Sequence, residues 1–293
     1  MVGEPGAAGG RLVVVGTPIG NLGDLSPRAA DALRGADLVV AEDTRMAARL
    51  LGHLAVRRPT LSFNEHNADA RLPDLLARLA AGATLALTTD AGMPAISDPG
   101  ARLVAAARAA GAVVEVVPGP TAVTAAMALA GVEASGFVFG GFLPSRPVTA
   151  RQDALERLLD AAGTPGLPLI LYEAPNRVRD LLRRLEARVE VVVLCRELTK
   201  LHEQVLAGSP PEVAAMLTEV RGEFTVVVDH VRVAETGAAG LDAAALASEA
   251  ARQGLSRRTI SDLLRAGGLA RRQAYALAEA AVGEAAASAD DRL

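Results

Sequence analysis

Residues 84–100 read TLALTTDAGMPAISDPG. Thr84–Thr89 is a short Leu- and Thr-rich run that closes on turn residues, which predicts a strand too short to be a helix. Asp90-Ala91-Gly92-Met93-Pro94 continues neither element, because glycine and proline punctuate regular structure. Ser97, Asp98 and Pro99 then offer a helix start, and Asp98–Ala110 carries apolar residues at helical spacing. A strand that passes through a Gly/Pro loop into a helix predicts a mainly parallel sheet covered by helices.

The same grammar extends in both directions. Arg11–Gly16, Asp37–Ala41 and Val113–Val117 read as further strands, and Ser26–Arg34, Thr44–Leu51, Ala68–Ala81 and Thr121–Ala130 as helices. A second round follows Gly131. Its predicted strands are Phe137–Phe142, Leu167–Tyr172, Glu190–Arg196, Glu203–Leu206 and Phe224–Val231; its helices are Arg151–Ala162, Arg177–Glu186 and Pro211–Val220. Glu235–Gly240 reads as a linker. Three helical stretches close the chain, Asp242–Gln253, Ser256–Arg265 and Ala270–Ala281, broken at Gly254 and Gly267–Gly268. The expected organisation is a flexible leader (1–10), an α/β domain (11–131), a second α/β domain (132–235) and a helical appendage (241–285).

The totals narrow the function classes. With 293 residues and 51% hydrophobic residues the chain can bury two cores. Aromatic residues make up 2% and Trp is absent, so an extended base-stacking platform is excluded and any RNA would be read by phosphate contacts and shape. A net charge of -4 is not that of a polycation. The single cysteine, Cys195, excludes an internal disulfide and a multi-cysteine metal site, and no metal-ligand spacing is present. Met1–Gly10 has no basic n-region, and the apolar window Val123–Leu143 is interrupted by Glu133 and by glycines. A soluble cytoplasmic protein is expected.

Three loops at strand ends carry the candidate chemistry: Gly16–Asp24, Asp90–Gly100 and Pro118–Ala122. In open α/β sheets ligands sit beyond the carboxyl ends of strands, so the three loops predict one ligand crevice. The first loop is neither a P-loop nor a clean dinucleotide fingerprint. A helix cap accounts for Asp98 without a ligand, whereas no helix directly follows Asp90, which favours a ligand role there.

Taken in order, GTPIGNLGDLSPRA, AEDTR, FNEHN, DAGMPAISDPG, PGPTA, GFLP, YEAPNR, CRELTKLHEQVLAG and GEF span Gly16 to Phe224. With these blocks the chain resembles the ribosomal RNA small subunit methyltransferase I family of the tetrapyrrole-methylase superfamily. The resemblance implies a two-domain α/β fold with S-adenosylmethionine in the cleft between the domains. It also implies a homodimer and 2′-O-methylation of a decoding-centre cytidine ribose in 16S rRNA of the small ribosomal subunit. By motif position the cofactor should touch Pro18, Asp90, Ala91, Gly92, Ile96, Thr121 and Ala122, and from the second domain Glu173 and Leu198. Two positions depart from the family pattern. Met93 stands where Thr is common, and Asn176 stands where the YEAPNR block usually has His, so that position is no obligatory acid or base.

Charged clusters supply the remaining candidates. In Glu42-Asp43-Thr44-Arg45, Arg45 is a candidate substrate contact, although an acidic helix start explains the block equally well. Glu65 and His66 sit in a dense polar block. In Arg196–Glu203 an extended backbone would point Arg196, Leu198, Lys200 and His202 one way. Lys200, the only lysine in the chain, is then expected to have a lowered pKa beside Arg196 and His202 and to serve as a neutral general base. Glu65 or His66 comes next in order, then Asp90. Arg196 is a candidate RNA contact. In the appendage Arg252, Arg257, Arg258, Arg265, Arg271 and Arg272 face only Glu249 and Asp262 between residues 249 and 272, which predicts a phosphate-binding patch. The rival readings are a corrin or sirohaem methyltransferase and a non-catalytic RNA-binding assembly protein.

Overall fold

The computed structural model describes residues 9–95, 99–163, 166–231, 243–267, 269 and 271–290. The chain divides at Arg232 into two compact units. The first unit holds two five-stranded sheets.

The first sheet is built from β1 (Arg11–Val15), β2 (Leu38–Ala41), β3 (Thr60–Ser62), β4 (Thr84–Thr88) and β5 (Val113–Val117). They are joined by α1 (Pro27–Gly35), α2 (Thr44–His53), α3 (Ala68–Ala80) and α4 (Gly100–Ala109), with α5 (Ala122–Ala130) after β5. The strand order is β3-β2-β4-β1-β5 and every pairing is parallel. The helix starts are chemically marked. The Ser26 hydroxyl accepts from Ala29 N–H with Pro27 at the first helical position, and the Asp43 carboxylate and Thr121 hydroxyl cap α2 and α5. The two faces are covered by different helices. Leu75 and Leu79 of α3 and Leu103 and Ala107 of α4 pack on one, Ala29 and Leu33 of α1 and Leu50 and Leu51 of α2 on the other. The chain therefore leaves β1 and its neighbour β4 towards opposite faces. That divergence opens a crevice at their carboxyl ends, the usual ligand position in such sheets.

The second sheet comprises β6 (Val138–Phe142), β7 (Leu169–Glu173), β8 (Val189–Arg196), β9 (Gln204–Gly208) and β10 (Phe224–Val231), in the order β6-β7-β10-β8-β9. Only β6 and β7 run parallel; the other three pairings are antiparallel. The seven residues between β8 and β9 are too few for a parallel crossover, which needs about a dozen or more. One face carries α6 (Val148–Gly163), α7 (Pro175–Leu185) and α8 (Pro210–Met216). Buried leucines such as Leu155, Leu159, Leu181 and Leu182 fill that layer, each worth about 1.5–3 kcal/mol of burial. The opposite face, with Ile170, Val193, Cys195 and Val227, receives Val123 and Ala126 of α5 together with Ile19. A helix that follows the first sheet thus covers the second, and this joint positions the site.

The second unit contains α9 (Ala243–Arg252), α10 (Arg257–Ala266) and α11 (Arg271–Asp290). Its core is made of small and branched residues, Ala247, Ala251, Ile260, Leu264, Ala274, Ala278 and Ala281. Among the described residues no helix is long and apolar enough to cross a membrane.

Candidate active site

Backbone bonds tie the loops of the first sheet together. Thr17 N–H donates to the Gly92 carbonyl at 2.8 Å, Gly92 N–H returns a bond to the Thr17 carbonyl at 3.2 Å, and Gly119 N–H meets Met93 Sδ at 3.3 Å. Gly92 adopts φ +81°, a region open to glycine at no steric cost. The loop after β1 also meets the second half of the unit. A Cβ on Gly20 would lie 2.5 Å from Lys200 Cγ and 2.7 Å from the Leu198 carbonyl, so only glycine permits that approach.

Two adjoining cavities open on these loops. The first, about 600 Å³, lies between Gly92, Thr121 and Ala122 on one side and Tyr172, Glu173 and Leu198 on the other. Of the chain's five Phe and two Tyr, four Phe (137, 139, 142 and 224) and Tyr172 line it. Phe139 meets Tyr172 edge-on, with centroids 5.2 Å apart and planes at 74°, and Phe142 lies 5.4 Å away on the same ring. Burial raises the Tyr172 pKa against the opposing effect of a backbone hydrogen bond at Val123. The second cavity, about 540 Å³, is lined by Pro18, Gly20, Leu22, Met46 and a charged set: Asp43, Arg49, Asp90, Lys200 and Glu223. Ile19, Ala91 and Glu223 line both cavities. The 90–92 loop is therefore shared out, with Asp90 on the charged side, Gly92 on the aromatic side and Ala91 between them.

The charged residues are anchored differently from the expectation. Residues 197–203 form turns, with Glu197 at φ 52° and Thr199 at φ 66°, so the extended alternation over 196–203 does not hold. Lys200 Nζ sits 2.9 Å from both Glu197 and Glu223. Burial pulls its pKa down, but the hydrogen bonds and charges of the two glutamates outweigh this and the net shift is upward. The expected lowering is thus corrected: Lys200 is held as a cation. Arg196 is corrected as an RNA contact. It is only 7% exposed, donates from Nε to the Arg221 carbonyl at 2.7 Å and pairs with Glu219 at 2.9 Å. Arg45 is exposed and forms a fork with Asp43, whose pKa its hydrogen bonds lower.

Other expected site residues fall outside the cavities or do something else there. Pro18 lines the charged cavity and not the aromatic one. Glu173 borders the aromatic cavity but is 1% exposed; its carboxylate binds Arg151, Arg177 Nε at 2.9 Å and its neighbour Ala174 N–H at 2.8 Å. Glu65 and His66 are exposed and line neither cavity. In that block the asparagines build the turn, with Asn64 N–H donating to Asn67 Oδ1 at 2.9 Å. Ile96 lies outside the described residues, as do Ser97 and Asp98. In the second unit Arg257 stacks 5.0 Å over the Tyr275 ring and pairs with Glu279 at 3.2 Å, Arg252 pairs with Glu249 at 2.9 Å, and Arg258 is exposed. Arg271 and Arg272 open α11, and their side chains lie outside the described residues.

The aromatic wall is what sequence reasoning missed. Its signal was present: in a chain with so few rings, Phe137, Phe139 and Phe142 crowd the six residues 137–142, of which the last five form β6.

The aromatic cavity suits a nucleoside-bearing thioether or sulfonium. Its volume lies in the usual ligand range of about 300–1,000 Å³. Ring faces suit an adenine and a sulfonium cation, and the Thr121 and Thr124 hydroxyls and the glycine-opened backbone offer polar partners. Among the described residues no group of His, Cys, Asp or Glu could hold a metal ion.

Residues 11–214 match the family Tetrapyrrole (Corrin/Porphyrin) Methylases. The chain is 44% identical over 245 residues to "Ribosomal RNA small subunit methyltransferase I" of Xylella fastidiosa, covering 80% of this chain and 84% of that protein. The protein of the same name from Thermotoga maritima is 40% identical over 225 residues, 75% of this chain and 98% of that one. Among solved structures, uroporphyrin-III-C-methyltransferase from Thermus thermophilus superposes with a TM-score of 0.52 at 23% identity, over 78% of this chain and 97% of that one, a likeness of fold alone.

Proposed function

Because this chain belongs to the ribosomal RNA small subunit methyltransferase I family of the tetrapyrrole methylases, we propose that it methylates small-subunit ribosomal RNA from S-adenosylmethionine, at the 2′-hydroxyl of a decoding-centre cytidine. The observation that carries this reading is the pair of cavities, one aromatic and one charged, meeting at Ile19 and Ala91. Methyl transfer to oxygen is an in-line displacement, so donor and acceptor must be held on either side of a common point.

When bound, the cofactor supplies an activated methyl group on its sulfonium. Gly92, Thr121, Ala122, Tyr172 and Leu198 are the residues that would hold it. Glu173, locked by Arg151 and Arg177, shapes the wall behind them. Across Ala91, Arg49 and Lys200 offer positive charge to the phosphates flanking the reacting ribose, and Gly20 lets the two loops close on that space. In the second unit the ion pairs of Arg252, Arg257 and Arg265 are at the surface, where such pairs are worth only about 0–1 kcal/mol, so they exchange readily for phosphate. Such a substrate places the protein in the cytoplasm.

The test supplies purified protein and methyl-labelled S-adenosylmethionine with small ribosomal subunits, large subunits or uroporphyrinogen as acceptors. Label in small-subunit RNA alone is expected. Label in the tetrapyrrole, or in no acceptor, would overturn the proposal.

A further inference from the structure

Three carboxylates line the charged cavity, and two of them are committed to cations. Asp43 is forked by Arg45, with Nη2 at 2.6 Å and Nε at 3.0 Å from Oδ2, and Glu223 holds Lys200 at 2.9 Å. Asp90 differs. Among the described residues no cation lies within ion-pairing distance of it, and its hydrogen bond is a single one, from Asp43 N–H to Oδ1 at 3.1 Å. Its other oxygen is left for a ligand. Asp90 lines the charged cavity and its neighbour Ala91 borders both, so this carboxylate stands on the acceptor side, one residue from where the two spaces meet.

From this placement we infer that Asp90 is the general base of methyl transfer. The inference rests on the ribose-hydroxyl reading above. As the hydroxyl oxygen attacks the methyl carbon, the carbon–sulfur bond breaks with its electron pair staying on sulfur, and the hydroxyl proton passes to the Asp90 carboxylate. The proton returns to water once the methylated RNA leaves. The order of candidates expected from sequence is thereby reversed, since Lys200 is held as a cation and Glu65 and His66 line neither cavity.

The surroundings suit the task. Burial raises the Asp90 pKa, partly offset by the Asp43 amide, while the Asp43 charge raises it and Arg45 lowers it. Glu42, bonded to Thr89 Oγ1 at 3.1 Å, lies at the adjoining residue, and Arg49, Lys200 and Glu223 line the same cavity. A less acidic carboxylate is the better proton acceptor.

Asp90→Asn separates this role from a structural one, because the amide oxygen still accepts the Asp43 N–H bond but cannot take a proton. Single-turnover methylation of small subunits is followed against pH for wild type, Asp90→Asn and Asp90→Glu, with cofactor affinity measured by calorimetry. The wild-type rate should rise with pH through one ionisation and then level off. Asp90→Asn should lower the plateau by about 10²-fold or more and abolish that limb while binding cofactor within about threefold of wild type, and Asp90→Glu should restore part of the rate. An Asp90→Asn rate within about threefold of wild type, or a loss that tracks lost cofactor affinity, would overturn the inference alone. A wild type that labels no small-subunit RNA would overturn the proposed function and this inference with it.

Discussion

Lys200 shows how one contact pair changes a residue's chemistry. With two glutamates at 2.9 Å its pKa lies above that of an ordinary lysine, so it is charged throughout the neutral range. Its ion pairs contribute fully below the lysine's unfolded pKa and are lost only as pH rises through the raised folded value. The expected behaviour is that of a phosphate anchor. Lys200→Arg should keep most of the single-turnover rate, while Lys200→Ala should mainly raise the RNA dissociation constant. A drop of about 10²-fold in both variants with RNA affinity unchanged would contradict this and return Lys200 to the role of base. Gly92 supports a separate prediction. A branched side chain at φ +81° is strained and its Cβ meets Ile19 Cγ2 at 3.4 Å and the Pro120 carbonyl at 3.5 Å. Gly92→Val should lose cofactor binding with its secondary structure intact, and unchanged affinity by calorimetric titration in a folded variant would refute the placement of the cofactor.

At the scale of elements, the turn between β8 and β9 holds the most strain. Thr199 is β-branched, sits at φ 66° and buries a hydroxyl with no hydrogen-bond partner. A left-handed conformation costs an ordinary residue about 1–2 kcal/mol. Thr199→Gly should therefore stabilise the protein by about 1 kcal/mol in urea denaturation, while the loosened turn slows methylation. Unchanged or lower stability would show that the turn is not strained.

The same turn marks the limit of what the sequence discloses. β1, β2, β4 and β5 are legible because each is an apolar run closed by turn or helix-cap residues (Gly16, Asp43, Asp90–Gly92 and Pro118), and the cofactor loops follow from their position. β3 escapes because three residues, Thr60–Ser62, carry no period. The parity of residues 196–203 misleads because two non-glycine residues take left-handed angles, which no alternation rule foresees. Arg196 and Glu173 look available in the sequence. Arg177 is a local partner of Glu173, four residues on, but Arg151 and, for Arg196, Glu219 are partners that only the tertiary fold brings close.

For the whole molecule, the chemistry should belong to the first unit. The Thermotoga maritima relative is matched over 98% of its length by 225 residues, which leaves it no room for counterparts of both units. Removing residues 233–293 should leave cofactor affinity unchanged. It should weaken RNA binding and flatten its salt dependence, since each lost phosphate contact removes roughly one unit from the slope of log affinity against log salt. A truncated protein with the full affinity and slope would make the second unit a structural cap.

The measurement that bears most directly on the account is alkaline hydrolysis of small-subunit RNA labelled by the purified enzyme. A methylated ribose removes the 2′-hydroxyl that alkali needs, so the label is expected in an alkali-stable dinucleotide with cytidine on its 5′ side. Label recovered in mononucleotides would place the methyl on a base and contradict the proposed ribose-hydroxyl acceptor.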